Sequence, residues 1–394
     1  MLRFPGNRLV HGIDSFSTAG GRAPGLSLPS DLGRLKGSPS TGVIRGGVLQ
    51  AETISDSAYQ GTGRTVAKNP TDVDLRVQLG RLCLPNPILV ASGTFGYARE
   101  MERVVDLGRL GGIVPKTITS EPRMGNTPWR TVETSAGLLN SIGLDNDGID
   151  SFIDHHLPYL ATTGSPVIVS IAGRNIEQYV ALAQQLDQAE GVSALELNIS
   201  CPNVSGGVDY GTDPELCGQL VAQVRASCQL PILAKLTPNV TDIRVMAMAA
   251  ADNGADALCL INTLLGMAID WRRRKPLLGN VVGGLSGPAI KPVALRCIHQ
   301  VAQVTSIPLI GIGGIGCLDD VMEFMVAGAS AVQIGTANYY DPTLTMRLLD
   351  ELPVAFQDAG AASIGELVGT LQLPGSTPAG DNPEPETNAP SPPV

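Results

Sequence analysis

The chain has 394 residues, 43% of them apolar, and a formal charge of -10. It can build a substantial core, and its charge has the wrong sign for nucleic acid or an anionic membrane as the main partner. No apolar run reaches the roughly 18 residues a membrane-spanning helix needs. The cysteines at 83, 201, 217, 228, 259, 297 and 317 form no C-x-x-C pair and the histidines show no metal-ligand spacing, so no metal or cluster is expected and the chain reads as cytoplasmic.

In chain order, residues 1–72 are rich in Gly, Ser and Pro without a sustained period, and are expected to form a low-complexity or disordered extension. Its Arg- and Ser-rich start has the composition of a transit peptide but no clear amphipathic period; a disordered extension or an upstream start codon is the preferred reading. The segment VDLRVQLGRLCLP (73–85) alternates with period two, which predicts a hairpin plugging the N-terminal end of a barrel. Eight short apolar runs follow: ILVAS (88–92), GIVPK (112–116), PVIVSI (166–171), ALELNI (194–199), PILAKL (231–236), DALCLI (256–261), PLIGIG (308–313) and AVQIG (331–335). They are rich in β-branched residues and bounded by Gly, Pro or Asn, as strands buried on both faces are. Between them lie helical stretches such as 176–190, 213–228 and 289–304, the second opening on Thr212 or Asp213 as N-cap with Pro214 in the first turn. Eight such alternations predict an α/β chain with one (β/α)₈ TIM barrel over residues 73–371, a doubly wound sheet being the competitor. Residues 372–394 are Pro-rich and polar and are expected to be a disordered tail.

Barrel enzymes carry their chemistry at the C-terminal strand ends. The polar residues there are Ser92 after the first run, Lys116 after the second, Asn198 and Cys201 after the fourth, and Lys235 on the fifth. Asn262 and Thr263 follow the sixth run, with Gly313–Gly314 and Gly335–Thr336 after the last two. A buried ammonium is costly unless it meets an anion or a polar ligand, so two lysines beside asparagines favour a ligand site over a purely structural barrel. Gly311-x-Gly313-x-x-Gly316 has the form of a dinucleotide fingerprint, but no acidic residue closes a following strand. The better reading is a barrel phosphate site whose loops offer backbone N–H groups, with plain tight turns as the structural alternative. Cys201, in NISCPNVSGGVDYGTDP just past a strand end, is either a reactive base or nucleophile or an idle buried thiol. Its ordinary pKa of about 8.5 allows proton abstraction in a shielded site.

These residues and the stretches NISCPN, KLTPNVTDI, INTLLGM, GGLSGPAIKPVAL, GIGGI and ASAVQIGTA make the chain resemble the class 1 dihydroorotate dehydrogenases from about residue 73 to 371. GNTPWRTVETSAGLLNSIGLDNDG (125–148) and YGTDP (210–214) are more similar to the NAD-linked type 1B than to the fumarate-linked type 1A. The resemblance implies an FMN site made by Ser92, Lys116, Thr117, Asn198, Lys235, Ile261, Gly287, Gly313, Gly314, Gly335 and Thr336. It implies an orotate site made by Lys116, Asn140, Ile142, Gly143, Leu144, Asn198, Asn203, Asn262 and Thr263, with Cys201 as catalytic base. The loop after Cys201 is about one residue shorter than the family's pattern, and Pro115 directly before Lys116 is a second departure.

On that resemblance, Cys201 takes a proton from C5 of dihydroorotate while hydride leaves C6 for flavin N5, and loop 200–212 closes as a lid hinged at Gly206–Gly207. The chain has no cluster motif and no convincing dinucleotide fold. The resemblance therefore implies a partner subunit carrying FAD and a [2Fe–2S] cluster, with the barrel self-associating as a homodimer within a heterotetramer. Other readings stay open at this point: a type 1A enzyme, a flavin barrel for another dihydropyrimidine, a Schiff-base aldolase using Lys116 or Lys235, and a non-catalytic phosphate-binding barrel.

Overall fold

The structure, a computed structural model, describes residues 73–199 and 210–374. The expected extension 1–72, the tail from 375 and the segment 200–209, which holds Cys201, Asn203 and Gly206–Gly207, lie outside the described residues.

The period-two segment forms the hairpin its pattern predicts. β1 (Val77–Leu79) pairs antiparallel with β2 (Leu82–Leu84), burying Val77, Leu79, Leu82 and Leu84 and exposing Gln78 and Cys83. At the turn, Gly80 has φ 57°, and a Cβ there would stand 2.7 Å from Asp256 Cβ. Arg81 then donates to Asp256 and to the carbonyls of Gln229 and Leu230, so the hairpin covers the N-terminal ends of the fifth and sixth barrel strands.

All eight apolar runs are strands. The barrel starts with β3 (Ile88–Val90) and β4 (Gly112–Ile113); an excursion then carries β5 (Thr131–Thr134) and β6 (Gly137–Asn140). The barrel resumes with β7 (Ile168–Ile171), β8 (Ala194–Asn198), β9 (Ile232–Leu236) and β10 (Ala257–Leu260). A second excursion holds β11 (Leu264–Met267), β12 (Ile269–Asp270), β13 (Lys275–Pro276) and β14 (Val282–Ser286), before β15 (Leu309–Ile312) and β16 (Ala331–Ile334) complete the barrel. The strands run parallel in the order β4-β3-β16-β15-β10-β9-β8-β7. A bridge between Ile113 and Val167, with Ile113 N donating to Pro166 O at 2.9 Å, closes the cylinder. This is the single (β/α)₈ barrel, and the doubly wound alternative falls away.

The first excursion continues through α1 (Gly148–Ser151) and α2 (Leu157–Leu160). The outer helices are α3 (Ile176–Asp187), α4 (Pro214–Ser227), α5 (Ile243–Asp252), α6 (Lys291–Ala302) and α7 (Leu318–Ala327), followed by α8 (Ala337–Tyr340), α9 (Leu344–Asp358) and α10 (Ile364–Leu367). Caps explain where several begin: Asn175 accepts from Gln178 N, Asp213 from Glu215 N and Leu216 N, and Asp242 from Arg244 N. No described helix is long and apolar enough to cross a membrane.

The two excursions were not foreseen as sheet. Both leave from C-terminal strand ends, and they pair with each other as one antiparallel sheet in the order β11-β14-β6-β5. It stands beside the barrel mouth where the chemistry is expected.

Candidate active site

A strand buried on both faces still sends alternate side chains into the barrel. On β8 these include Glu196 and Asn198, on β9 Lys235, on β10 Cys259 and on β16 Gln333, all buried. Lys235 Nζ donates to Glu196 Oε1 (3.3 Å), Ser92 Oγ (3.2 Å) and Gln333 Oε1 (3.4 Å). Ser92 Oγ and Gln333 Nε2 donate to the two Glu196 oxygens at 3.2 and 2.8 Å. A lone ion here would cost several kcal/mol, and removing one partner of such a pair typically costs ~3–5 kcal/mol. Lys235 therefore finds its anion within the chain, and its burial alone does not demand a ligand. Burial among these groups pushes the Cys259 thiol well up, leaving it inert.

A second cluster adjoins the first, with Asn198 in register with Lys235 and Ser170 in register with Glu196. Asn198 Nδ2 donates to Thr117 Oγ1 (3.4 Å), which shares a 2.9 Å hydrogen bond with Ser170 Oγ; Asn262 Nδ2 donates to Asn198 Oδ1 (3.2 Å). Tyr179 OH donates to Asn198 O, and Asn262 Oδ1 accepts from Thr263 N. Asn239 steadies the same stretch by donating to Thr263 O and accepting from Leu265 N. The antiparallel sheet brings Asn140 in: Asn140 pairs with Gly284 and donates Nδ2 to its carbonyl at 3.4 Å. A Cβ on Gly284 would stand 2.0 Å from Thr263 Oγ1, so only glycine lets Asn140 and Thr263 flank this strand so closely. Ile142 O accepts from Asn126 N, and Gly143 and Leu144 follow with positive φ of 79° and 56°. For leucine that is an unusual backbone held by its surroundings, of the kind that clusters at ligand sites.

Lys116 lies half-buried after β4; its amide, despite the preceding Pro115, donates to Gly96 O at 3.0 Å. Burial lowers the pKa of its ammonium, and attraction to Asp145 and Asp147 only partly offsets this. Among the described residues no side chain hydrogen-bonds to its Nζ. Of the two strand-end lysines, Lys116 is the one left short of an anion.

The last strands end in three touching loops. Gly287, Gly313 and Gly314 have φ of 92°, 130° and 77°. A Cβ on Gly314 would stand 2.9 Å from Gly287 O, and one on Gly287 would stand 2.8 Å from Gly137 Cα and 3.6 Å from Thr336 Cγ2. Thr336 Oγ1 donates to Ser286 Oγ at 2.7 Å, which passes on to Leu138 O. The N–H groups of Gly314, Gly335 and Thr336 donate to no acceptor among the described residues. Free amides lined by glycine are what a phosphate needs.

The structure thus gathers Ser92 with Lys235, Thr117 with Asn198, Asn262 and Thr263, Asn140 beside Thr263, and Gly287 with Gly313, Gly314, Gly335 and Thr336. Ile261 is buried directly after β10. Cys201 and Asn203 lie outside the described residues. Sequence reasoning missed Glu196, Gln333, Ser286, Ser170 and Gly284. A glutamate inside the apolar run ALELN, with a lysine inside the next run ILAKL, was the available signal for the first of these.

A family profile described as Dihydroorotate dehydrogenase matches residues 74–356. The chain is similar to the dihydroorotate dehydrogenase B (NAD(+)), catalytic subunit, of Geotalea uraniireducens (strain Rf4), at 50% identity over 76% of this chain and 98% of that one. The protein of the same description from Pelobacter propionicus (strain DSM 2379 / NBRC 103807 / OttBd1) is 51% identical over 76% and 99%. That from Desulforudis audaxviator (strain MP104C) is 50% identical over 77% and 99%. A barrel with this mouth, matched along nearly the full length of such relatives, belongs to the dihydroorotate dehydrogenase family.

Proposed function

We infer that the chain oxidises dihydroorotate to orotate in pyrimidine biosynthesis, as the FMN-binding catalytic subunit of an NAD-linked enzyme in the cytoplasm. The observation that carries the reading is Lys116: a cation short of an anion, at the same barrel mouth as the Asn198–Asn262 amides and the unpaired N–H groups of Gly314, Gly335 and Thr336.

That donor set fits FMN. The amides of Gly313, Gly314, Gly335 and Thr336, with Gly287 leaving room, would hold its phosphate; Ser92, Lys116, Thr117, Asn198, Lys235 and Ile261 would hold its ring. When bound, FMN supplies the hydride acceptor. The remaining work falls to the chain's own groups. Asn140, Asn198, Asn203, Asn262 and Thr263 offer donors and acceptors to the edges of a pyrimidine, and Ile142, Gly143 and Leu144 close the pocket around it. Lys116 balances the substrate carboxylate. Cys201 removes the proton from C5 as general base.

The relatives' names support NAD(+) over fumarate as final acceptor, and the words "catalytic subunit" in them support a second subunit. That subunit is proposed to carry FAD and a [2Fe–2S] cluster, since this sequence has no C-x-x-C pair. The barrel itself is proposed to be a homodimer within a heterotetramer.

The test is anaerobic mixing of the FMN-loaded chain with dihydroorotate. Bleaching of the flavin absorbance with formation of orotate is expected, and an unchanged spectrum overturns the reading. Cys201→Ala is expected to keep FMN while slowing bleaching by roughly 10²–10⁴-fold, the usual worth of a general base. Full-speed bleaching by that variant removes Cys201 from its role.

A further inference from the structure

The glycine loop after β15 is held by a pair of side chains that the predicted site did not include. Asp320, buried in the first turn of α7, accepts from Gly316 N (2.7 Å) and Cys317 N (3.1 Å) through Oδ2, and from Lys291 Nζ (2.5 Å) through Oδ1. Lys291 opens α6, and its Nζ also meets Glu323 Oε2 at 2.8 Å. The start of α6 backs the loop's other side, since a Cβ on Gly314 would stand 2.7 Å from Lys291 Cβ and 2.9 Å from Lys291 N. The ion pair thus joins α6 to α7 across the loop, with Gly314 packed on one helix and Gly316–Cys317 bonded to the other. Burial pushes the Asp320 carboxyl up, yet its hydrogen bonds from Lys291 and Gly316 hold it below the usual range, so it is charged at neutral pH. With two carboxylates on it, Lys291 has little charge to spare for a ligand.

We propose that Asp320, paired with Lys291, is a positioning residue that straps the Gly313–Gly316 loop so that the Gly314 amide points at the phosphate of a flavin mononucleotide. The idea rests on the FMN reading above, and touches only the phosphate end of the cofactor. A held amide binds an anion without the ordering cost a loose loop would incur. The strap therefore acts on affinity for FMN and not on affinity for riboflavin, which lacks the phosphate.

The experiment strips FMN from the full chain and titrates the apoprotein with FMN and, separately, riboflavin, following the quenching of flavin fluorescence. The unmodified chain is expected to prefer FMN strongly. Asp320→Ala is expected to lose roughly 10- to 100-fold in FMN affinity, the worth of one or two charge-assisted hydrogen bonds, with riboflavin affinity unchanged. Lys291→Met breaks the same strap without touching the α7 cap, and is expected to show the same phosphate-specific loss. Equal losses for both flavins in the two variants, or no loss in either, overturn the strap. If the unmodified chain bound riboflavin as tightly as FMN, the phosphate reading itself would fall, and the strap with it.

Discussion

Lys116 follows the second barrel strand and Lys235 lies on the fifth, and their surroundings give them different work. Lys235 is enclosed with Glu196, Ser92 and Gln333, so its charge is spent inside the protein. Lys116 is desolvated without a hydrogen-bonded anion, and burial holds its pKa below the ordinary 10.5. Between that lowered value and 10.5 the unfolded chain holds more protons than the folded one. Stability of the ligand-free protein is therefore expected to climb as pH rises through this window. Urea unfolding from neutral to alkaline pH checks the climb, and Lys116→Met should flatten it. Orotate binding should run the other way, weakening as Lys116 loses its proton. Lys116→Met should weaken binding roughly 10- to 100-fold at neutral pH, the worth of about 1.5–3 kcal/mol for a bond to a charged group. A calorimetric titration in which the variant binds orotate normally would reassign Lys116 to structure.

The elements divide by how much of their cause is local. Each barrel strand is buried on both faces, so its own few residues announce it as an apolar run, and a polar residue at or just past its end marks the barrel mouth. Ser92 and Lys116, past the ends of their strands, and Asn198 and Lys235, within the last two residues of theirs, were legible for that reason. The antiparallel sheet was not, because TVET, GLLN and VGGLS are short and Gly- or Thr-rich, and β14 and β6 pair across a long stretch of chain. Glu196, in the middle of β8, escaped a reading of strand ends, and so did the uncharged Gln333 on β16. The hairpin was legible from its period, but its anchor was not. Asp256 accepts from Arg81 Nε and Nη2, both at 2.8 Å, from Ile232 N at 2.8 Å and from Arg225 Nη1 at 3.4 Å. Burial raises its pKa, but these partners hold the carboxyl below 3.8, so its contribution is present above that value and is lost as pH falls through the lowered one. Arg81 is half exposed, which discounts the pair toward the low end of buried ion pairs. Asp256→Ala is expected to cost about 2 kcal/mol, read as a shift in urea midpoint, and to remove the acid-side slope. A midpoint unmoved at neutral pH would show that the hairpin is held by its apolar face alone.

At the scale of the whole molecule, the excursions that shape the mouth also leave apolar surface uncovered. Leu265, Met267, Ile269 and Trp271 are exposed along β11, β12 and the turn after them. Trp129 joins them, because Gly279 N donates to its carbonyl and ties the two excursions together. The sequence has 2 tryptophans, 77% and 70% exposed, one on each of the two excursions that this bond ties together. Arg272, whose guanidinium lies 4.4 Å over the Trp271 ring, begins the basic run Arg272–Arg273–Arg274–Lys275 on a chain whose net charge is -10. Apolar patches of this kind mark association surfaces, and a basic rim suits a second copy of an acidic chain. Because Trp271 belongs to the patch and Trp129 is exposed on the excursion tied to it, tryptophan emission reports on what covers this surface. The FMN-loaded chain is expected to show blue-shifted emission at high concentration, moving to the red on dilution as light scattering records the fall from dimer to monomer. Met267→Glu with Trp271→Glu should give a monomer at every concentration, with flavin bleaching by dihydroorotate retained because neither residue lies among those assigned to FMN or substrate. Dimers that persist in the double variant would place the contact elsewhere on the barrel. Emission that shifts only when an electron-transfer subunit is added would give this face to that subunit instead of to a second barrel.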